Sequence, residues 1–245
     1  MTYLTIDRGN TTAKVTVWKG RELIETHRFP HLNVEDLVPV FEKWMPVAAA
    51  VSTVGRIDIR FLESLRKMVE GRLLVLTSGV SLPIKLNYGS LGSLGVDRIA
   101  AAVGAWDLTG KPSLVVDAGT AMTLDLINDE GNFMGGNISP GMGLRFKSLH
   151  EATQQLPVVE AQGDLPAIGE DTVSAIRCGV VRGMAAEIED VFQIGKQLYG
   201  CEEIIMTGND CEALAPLLEE KGHRVRRYPD LVGLGLIKIL EYNNI

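Results

Sequence analysis

Asp7-Arg8-Gly9-Asn10-Thr11-Thr12-Ala13-Lys14 joins two short, strand-like runs, residues 3–6 and 15–18. The stretch reads as a β-hairpin whose tip carries a carboxylate, an amide, two hydroxyls and an ammonium. A glycine that tolerates positive φ lets successive backbone N–H groups converge into an anion-binding concavity, and the hydroxyls and Lys14 add donors for phosphate oxygens. The same letters also make an ordinary tight turn between alternating strands. What separates the two readings is a second copy. Leu114-Val115-Val116-Asp117-Ala118-Gly119-Thr120-Ala121-Met122-Thr123-Leu124 repeats the order of apolar strand, Asp-x-Gly, hydroxyl and alternating strand. Two equivalent hairpins in one chain imply a duplicated architecture with both tips facing one cleft.

Composition narrows the classes that such a duplication can serve. A chain of 245 residues is long enough for two domains, and 46% hydrophobic with 22% charged residues is an ordinary globular balance. The net charge of −7 gives no basic footprint with which to neutralise nucleic-acid phosphates, so no nucleic-acid partner is expected. Arg224, Arg226 and Arg227 form the one basic cluster of note and read as a solvated strand edge. Cys178, Cys201 and Cys211 are odd in number and lack C-x-x-C spacing, so neither a disulfide framework nor a zinc site is expected, and a reducing cytoplasm fits. No charged leader precedes an apolar core segment and no run of about 18 apolar residues occurs, so a soluble, unexported protein is expected, with no membrane partner. His27, His31, His150 and His223 are scattered and read as surface or loop residues.

Along the chain, residues 21–29 alternate as a third strand. Leu37, Val40, Phe41 and Trp44 then recur at helical spacing up to Pro46. A buried strand at 47–52, a helix at 59–70 and a strand at 73–76 complete an α/β half. Glycines 89, 92 and 95 make a loop that delivers Asp97 to the start of a helix through Ile99, Val103 and Trp106. Asp97 has two readings there: a cap whose carboxylate satisfies first-turn amides, or a carboxylate beside an arginine poised as base or ligand. Spacing alone leaves both open. Thr109-Gly110-Lys111-Pro112 marks a boundary, giving domains 1–110 and 111–245. Residues 135–141 read as a second glycine-rich loop, Asp171 and Thr172 as caps of a long helix with one apolar stripe, and Thr207-Gly208-Asn209-Asp210 as another polar tip. There is no G-x-x-x-x-G-K-[ST], and Gly233-Leu234-Gly235 lacks the third glycine of a dinucleotide fingerprint.

Taken together, the two hairpins at the heads of two α/β halves resemble the actin, hexokinase and Hsp70 superfamily. Within it, D-x-G-N-T-x-x-K at 7–14, G-x-D-R at 95–98, D-x-G-T at 117–120 and G-G-x-I-x-P-G at 135–141 resemble type III pantothenate kinase, in order and spacing over essentially the whole chain. The resemblance implies an α/β fold of two tandem ribonuclease-H-like domains with a nucleotide cleft between them. It implies phosphorylation of the 4′-hydroxyl of pantothenate with ATP, Mg²⁺ and a monovalent cation, K⁺ or NH₄⁺, in a homodimer. Carried over by position, Asp7, Arg8, Gly9, Asn10, Thr11, Thr12, Ala13, Lys14 and Thr120 are ATP-binding, and Asp7 orients Mg²⁺ through water. Asp97 is the general base; Tyr88, Gly95, Val96, Asp97, Arg98 and Thr172 contact pantothenate; Asp117 is the monovalent-cation ligand. Two departures stand out: Arg8 occupies a place where relatives carry a small or apolar residue, and Thr207-Gly208-Asn209 replaces T-G-G at the adenosine side. The alternative reading is a catalytically silent nucleotide-binding regulatory protein of the same superfamily, against which the intact Asp7, Asp97 and Asp117 argue.

Overall fold

The alternation in the first thirty residues builds an antiparallel meander: β1 (Thr2–Arg8), β2 (Ala13–Lys19) and β3 (Glu22–Phe29). In this computed structural model, which describes residues 1–9, 11–55 and 58–245, the chain divides into two units. One is Met1–Thr109 with Asp230–Ile245, the other Gly110–Pro229.

In the first unit α1 (Val38–Trp44) ends at Met45, which takes a left-handed conformation just before Pro46. The chain then enters β4 (Ala48–Thr53), α2 (Ile59–Met68) and β5 (Leu73–Val75). β4 lies parallel to β1 and β5 parallel to β4, giving the order β3-β2-β1-β4-β5. Because strand side chains alternate between faces, Leu4 and Ile6 join Val15, Val17, Leu37, Val40, Phe61 and Leu65 in one core. Each such side chain contributes roughly 1.5–3 kcal/mol when fully buried. Thr5 belongs to the other face, where a side chain added at Gly233 of α7 (Leu231–Tyr242) would meet Thr5, Thr16 and Trp18. The Trp18 indole N–H donates to Thr16 Oγ1 at 2.8 Å, which satisfies a polar group inside the sheet–helix layer. On that side α7 packs along α3 (Val96–Thr109).

The second unit repeats the plan with β6 (Ser113–Ala118), β7 (Ala121–Ile127), β8 (Phe133–Pro140), β9 (Glu203–Thr207) and β10 (Val225–Arg227), ordered β10-β9-β6-β7-β8. Its core sets Leu114, Val116 and Leu124 against Met184, Ile188, Leu214 and Leu218. The last four belong to α5 (Thr172–Tyr199) and α6 (Cys211–Glu219). The cap of α5 is Asp171, whose carboxylate accepts from Ser174 N–H while Ser174 reaches back to the cap, a capping box; Thr172 is the first helical residue.

Two sequence expectations change. The fold is α/β with two similar β-sheet units, not two tandem ribonuclease-H-like domains; the first unit is not contiguous, since α7 from the end of the chain completes it. Residues 135–141 are mostly strand, not loop, and Gly136 is there because a Cβ would come within 2.0 Å of the Leu124 carbonyl oxygen on β7.

Candidate functional site

Asp7 sits at the carboxyl end of β1, directly opposite Lys14 on β2 and beside Ser52 on β4. Its Oδ1 is buried and has no hydrogen-bond partner among the described residues. Burial, and then the negative charge of Asp97, push its carboxyl up from 3.8 to about 6, while Ser52 and Lys14 pull the other way. The Ser52 hydroxyl is close enough to favour the ionised form without meeting hydrogen-bond geometry. Two carboxylates and one ammonium of this unit thus share a neighbourhood, on the face of the sheet that carries α3 and α7. The Lys14 ammonium is 3.2 Å from Asp230 Oδ1, at the entry to α7.

Arg8, one residue on, points to the opposite face as strand alternation requires. Its guanidinium lies over the Phe61 ring of α2, 5.0 Å from the centroid, and lines a 220 Å³ cavity with Asn33, Glu35, Asp58 and Ser64. This accounts for the residue that sequence left unexplained. The tip between the strands closes through Gly9 N–H, which donates to the Thr12 carbonyl at 3.0 Å, and Gly9 takes no positive φ. Thr11 and Thr12 are exposed and Ala13 is buried at the start of β2. Asn10 lies outside the described residues.

Asp97 is the second residue of α3, with Val96 the first; Gly95 stands at the cap position, its carbonyl accepting Ile99 N–H at 3.2 Å. The Asp97 side chain folds back so that Oδ1 accepts Arg98 N–H at 2.9 Å. A Cβ on Gly95 would fall 2.4 Å from that oxygen, so the glycine leaves the space in which the carboxylate rests. Asp97 thus satisfies one first-turn amide, and its negative charge is felt at Asp7. Arg98, only 5% exposed, is held with its guanidinium 5.7 Å from the centre of the Tyr88 ring. Tyr88, Gly95, Val96, Asp97 and Arg98 are thus one local cluster at the head of α3.

In the second unit Asp117 ends β6 as Asp7 ends β1, but its register neighbours are Thr123 and Thr207. The β6–β7 turn is Gly119-Thr120, closed by Gly119 N–H donating to the Ala121 carbonyl at 3.1 Å. Gly141 packs on this turn: its N–H donates to the Thr120 carbonyl at 3.0 Å, and a Cβ there would lie 1.9 Å from Gly119 O. In the tip 207–210 the positive φ falls on Gly208, at 96°, so Asn209 needs no unusual conformation. Thr172 belongs to a different part of the unit, a 650 Å³ groove with Arg145, Leu149, Ile176 and Val180 between α4 (Met142–Glu151) and α5.

Three residues near these positions escaped the sequence reading. Asp210 accepts Met142 N–H at 3.3 Å, its backbone N–H donates to Ala118 O at 3.0 Å, and burial raises its carboxyl. Ser52 and Asp230 face Asp7 and Lys14. Ser52 left a trace in sequence as the polar end of the apolar run 47–51, and Asp210 as the last residue of the polar tip 207–210, but Asp230 left none. The basic cluster at β10 is more than a solvated edge, since Arg224 and Arg226 pair with fully buried Glu203. His223 is paired with Glu189 rather than loose on the surface.

Among the described residues no three His, Cys, Asp or Glu side chains gather as a metal cage. Mg²⁺ keeps several waters and takes one or two carboxylates plus phosphates. The undonated Oδ1 of Asp7 is an acceptor of the kind such a water needs.

Residues 3–193 match a family model described as type III pantothenate kinase. The chain is 38% identical over 242 residues to the type III pantothenate kinase of Bacteroides fragilis strain YCH46, with 98% of each chain covered. It is 35% identical over 244 residues to that of Porphyromonas gingivalis strain W83, again with 98% of each covered. Among solved structures, one from Campylobacter jejuni described as a Baf family transcriptional activator aligns with a TM-score of 0.66, 24% identity and 98% of both chains. Component A of (R)-2-hydroxyglutaryl-CoA dehydratase from Acidaminococcus fermentans aligns at 0.58, with 14% identity over 99% of this chain and 97% of that one. A Listeria monocytogenes protein described as an N-acetylmannosamine kinase aligns at 0.61, with 13% identity over 100% of both. These likenesses speak for the fold: α/β with two similar β-sheet units, which replaces the ribonuclease-H-like expectation.

Proposed function

The chain belongs to the type III pantothenate kinase family, and from that premise we propose which of its residues carry the ATP-dependent phosphorylation of pantothenate, the committed step towards coenzyme A. Asp97 is the general base for the 4′-hydroxyl. The observation that carries this assignment is its posture: Oδ1 is anchored on Arg98 N–H while its negative charge is felt at Asp7. Phosphoryl transfer asks a protein mainly for positioning and charge neutralisation, with one group to accept the hydroxyl proton.

Arg98 holds the carboxylate of pantothenate, its plane steadied by Tyr88, and Gly95 and Val96 complete the acid's seat. Thr172 adds a contact from the head of α5. Gly9, Asn10, Thr11, Thr12, Ala13 and Lys14 surround the phosphates of ATP, with Thr120 a further ATP contact, and Arg8 braces the base of the hairpin against Phe61. Asp7 would hold Mg²⁺ through water, and Asp117 a monovalent cation, K⁺ or NH₄⁺; bound there, these ions supply positive charge to the phosphates. Exposed Val173, Ile194 and Leu198 on α5 support a homodimer. Three free, buried cysteines support a reducing cytoplasm, and among the described residues no helix is long and apolar enough to cross a membrane.

Asp97→Asn keeps the bond to Arg98 N–H and removes the base. It is expected to lower kcat by roughly 10²–10⁴ with little change in ATP affinity, as loss of a general base does. Coupled ADP release, run with pantothenate in K⁺ and in Na⁺, is the assay; wild-type turnover by the variant reduces Asp97 to a helix-start residue, and pantothenate-independent hydrolysis by the parent removes the assignment of the acceptor.

A further inference from the structure

Lys14 stands between two acids of its own unit. Asp7 is its direct cross-strand neighbour, and Asp230 is the residue whose oxygen it meets, at 3.2 Å. Both side chains of the pair are largely buried, with 20% and 12% exposure. Asp230 occupies the cap position of α7, and its carbonyl accepts Leu234 N–H at 2.9 Å, yet its carboxylate caps nothing. Aspartate is among the best residues for that cap bond. Here the side chain turns to the ammonium instead. The contact is not aligned as a hydrogen bond, and Asp230 Oδ1 has no hydrogen-bond partner among the described residues. A hold of this kind is electrostatic: it fixes where the ammonium sits without fixing where its hydrogens point.

We propose that Asp230 is the positioning residue for Lys14, holding the ammonium off Asp7 and at the place where the phosphate oxygens of ATP are met. The inference rests on the assignment of Lys14 to the phosphates. Were Asp230 neutral, Asp7 would still stand as an anion directly across the β1–β2 pair from Lys14. Collapse onto Asp7 would spend the ammonium and mask the carboxylate together, so the loss falls on nucleotide binding rather than on the proton transfer at Asp97.

The test separates charge from capping. Asp230→Ser keeps a good cap residue for α7 and removes the anion; Asp230→Asn is the near-isosteric variant and gives the answer should the serine protein fail to fold. Each is expected to raise KM for MgATP about tenfold, the scale of a close charge pair, with kcat within about threefold and KM for pantothenate unchanged. Asp230→Glu, which retains the carboxylate, is expected to recover most of the affinity. In a Lys14→Met background the Asp230 change is expected to add nothing. Wild-type KM in Asp230→Ser, or an equal penalty with and without Lys14, overturns the inference and leaves Asp230 as part of the entry to α7. Wild-type KM in Lys14→Met alone overturns the phosphate assignment itself, a failure recognisable because it appears before Asp230 is touched.

Discussion

Gly95→Ala is the sharpest probe of Asp97, because it moves the carboxylate without altering its chemistry. The added Cβ would sit 2.4 Å from Asp97 Oδ1, where ordinary van der Waals contact begins at 3.4 Å. The oxygen must therefore retreat by about 1 Å, since the atom in the way is the end of a side chain and not backbone. The other close atoms, Arg98 Cγ and Cδ, lie at 3.6 Å and need not move. Gly95 does not use a positive φ, so alanine brings no backbone strain. Stability should change little: the bond from Arg98 N–H to Oδ1 is weakened, worth about 0.5–1.5 kcal/mol, or roughly 1–6 °C in melting temperature for a chain of this size. Catalysis should change much more, because a misplacement of 1 Å at a reacting group costs on the order of 10²-fold. The expected profile is kcat down about a hundredfold, KM for MgATP unchanged and a melt close to the parent's. Steady-state kinetics with both substrates and a thermal melt suffice to read it. Wild-type kcat in a folded Gly95→Ala protein would refute the claim that the resting position of Asp97 is the working one.

Two further outcomes follow from the same geometry. Asp7 is held up to about 6 against 3.8, so between those values the folded chain binds the proton more tightly than the unfolded one; the associated stability is present below about pH 4 and lost as pH rises through 6. Asp7→Asn should accordingly stabilise the ligand-free protein at pH 8 by roughly 1–2 kcal/mol after allowance for its partial exposure, leave its stability unchanged at pH 4, and abolish turnover; a variant no more stable at pH 8 than the parent counts against the buried, undonated carboxylate. Gly141→Ala drives a Cβ to 1.9 Å from the Gly119 carbonyl oxygen, a backbone atom that cannot step aside. It should cost about 1–3 kcal/mol in a denaturant titration and raise KM for MgATP through the Thr120 turn, whereas unchanged stability and KM would mean that the turn and β8 part easily.

Much of this was legible because it is local. Apolar alternation around 3–6, 15–18 and 114–116 gives the strands, and the repeated Asp-x-Gly gives the duplication, since each carboxylate ends the first strand of its sheet. Residues 135–141 misled because glycine is ordinarily a loop former, yet here Gly136 and Gly141 serve close approach to β7 and to the β6–β7 turn. Gly9 misled in a subtler way: the hairpin closes without the positive φ that the motif suggests. Arg8 became intelligible only when Phe61 was known to lie beneath it, and Asp230 only when α7 was seen to return to the first unit. Contacts between the two ends of a chain leave no periodicity behind. Asp210 was within a stretch already singled out, but its link to Met142 N–H depends on where α4 begins, and reading 135–141 as a loop hid that.

The duplicated plan also gives its two corners different settings. Asp7 and Asp117 hold equivalent places in strand and register, each the last acid before an Ala-or-Arg-then-Gly corner, although the turn after Asp117 is one residue shorter. Their cross-strand partners differ: Lys14 opposite Asp7, Thr123 opposite Asp117. On the parallel side Ser52 answers to Thr207. A carboxylate with an ammonium across from it belongs to a neighbourhood that attracts anions as well as a metal. A carboxylate with two threonines as its register neighbours has hydroxyls beside it and no ammonium opposite. Replacing Thr123 by lysine should thus convert the second corner towards the first, displacing dependence on K⁺ while leaving the β6–β7 pairing intact. The single cross-strand position, rather than the Asp-x-Gly motif that both corners share, is where the two settings differ most.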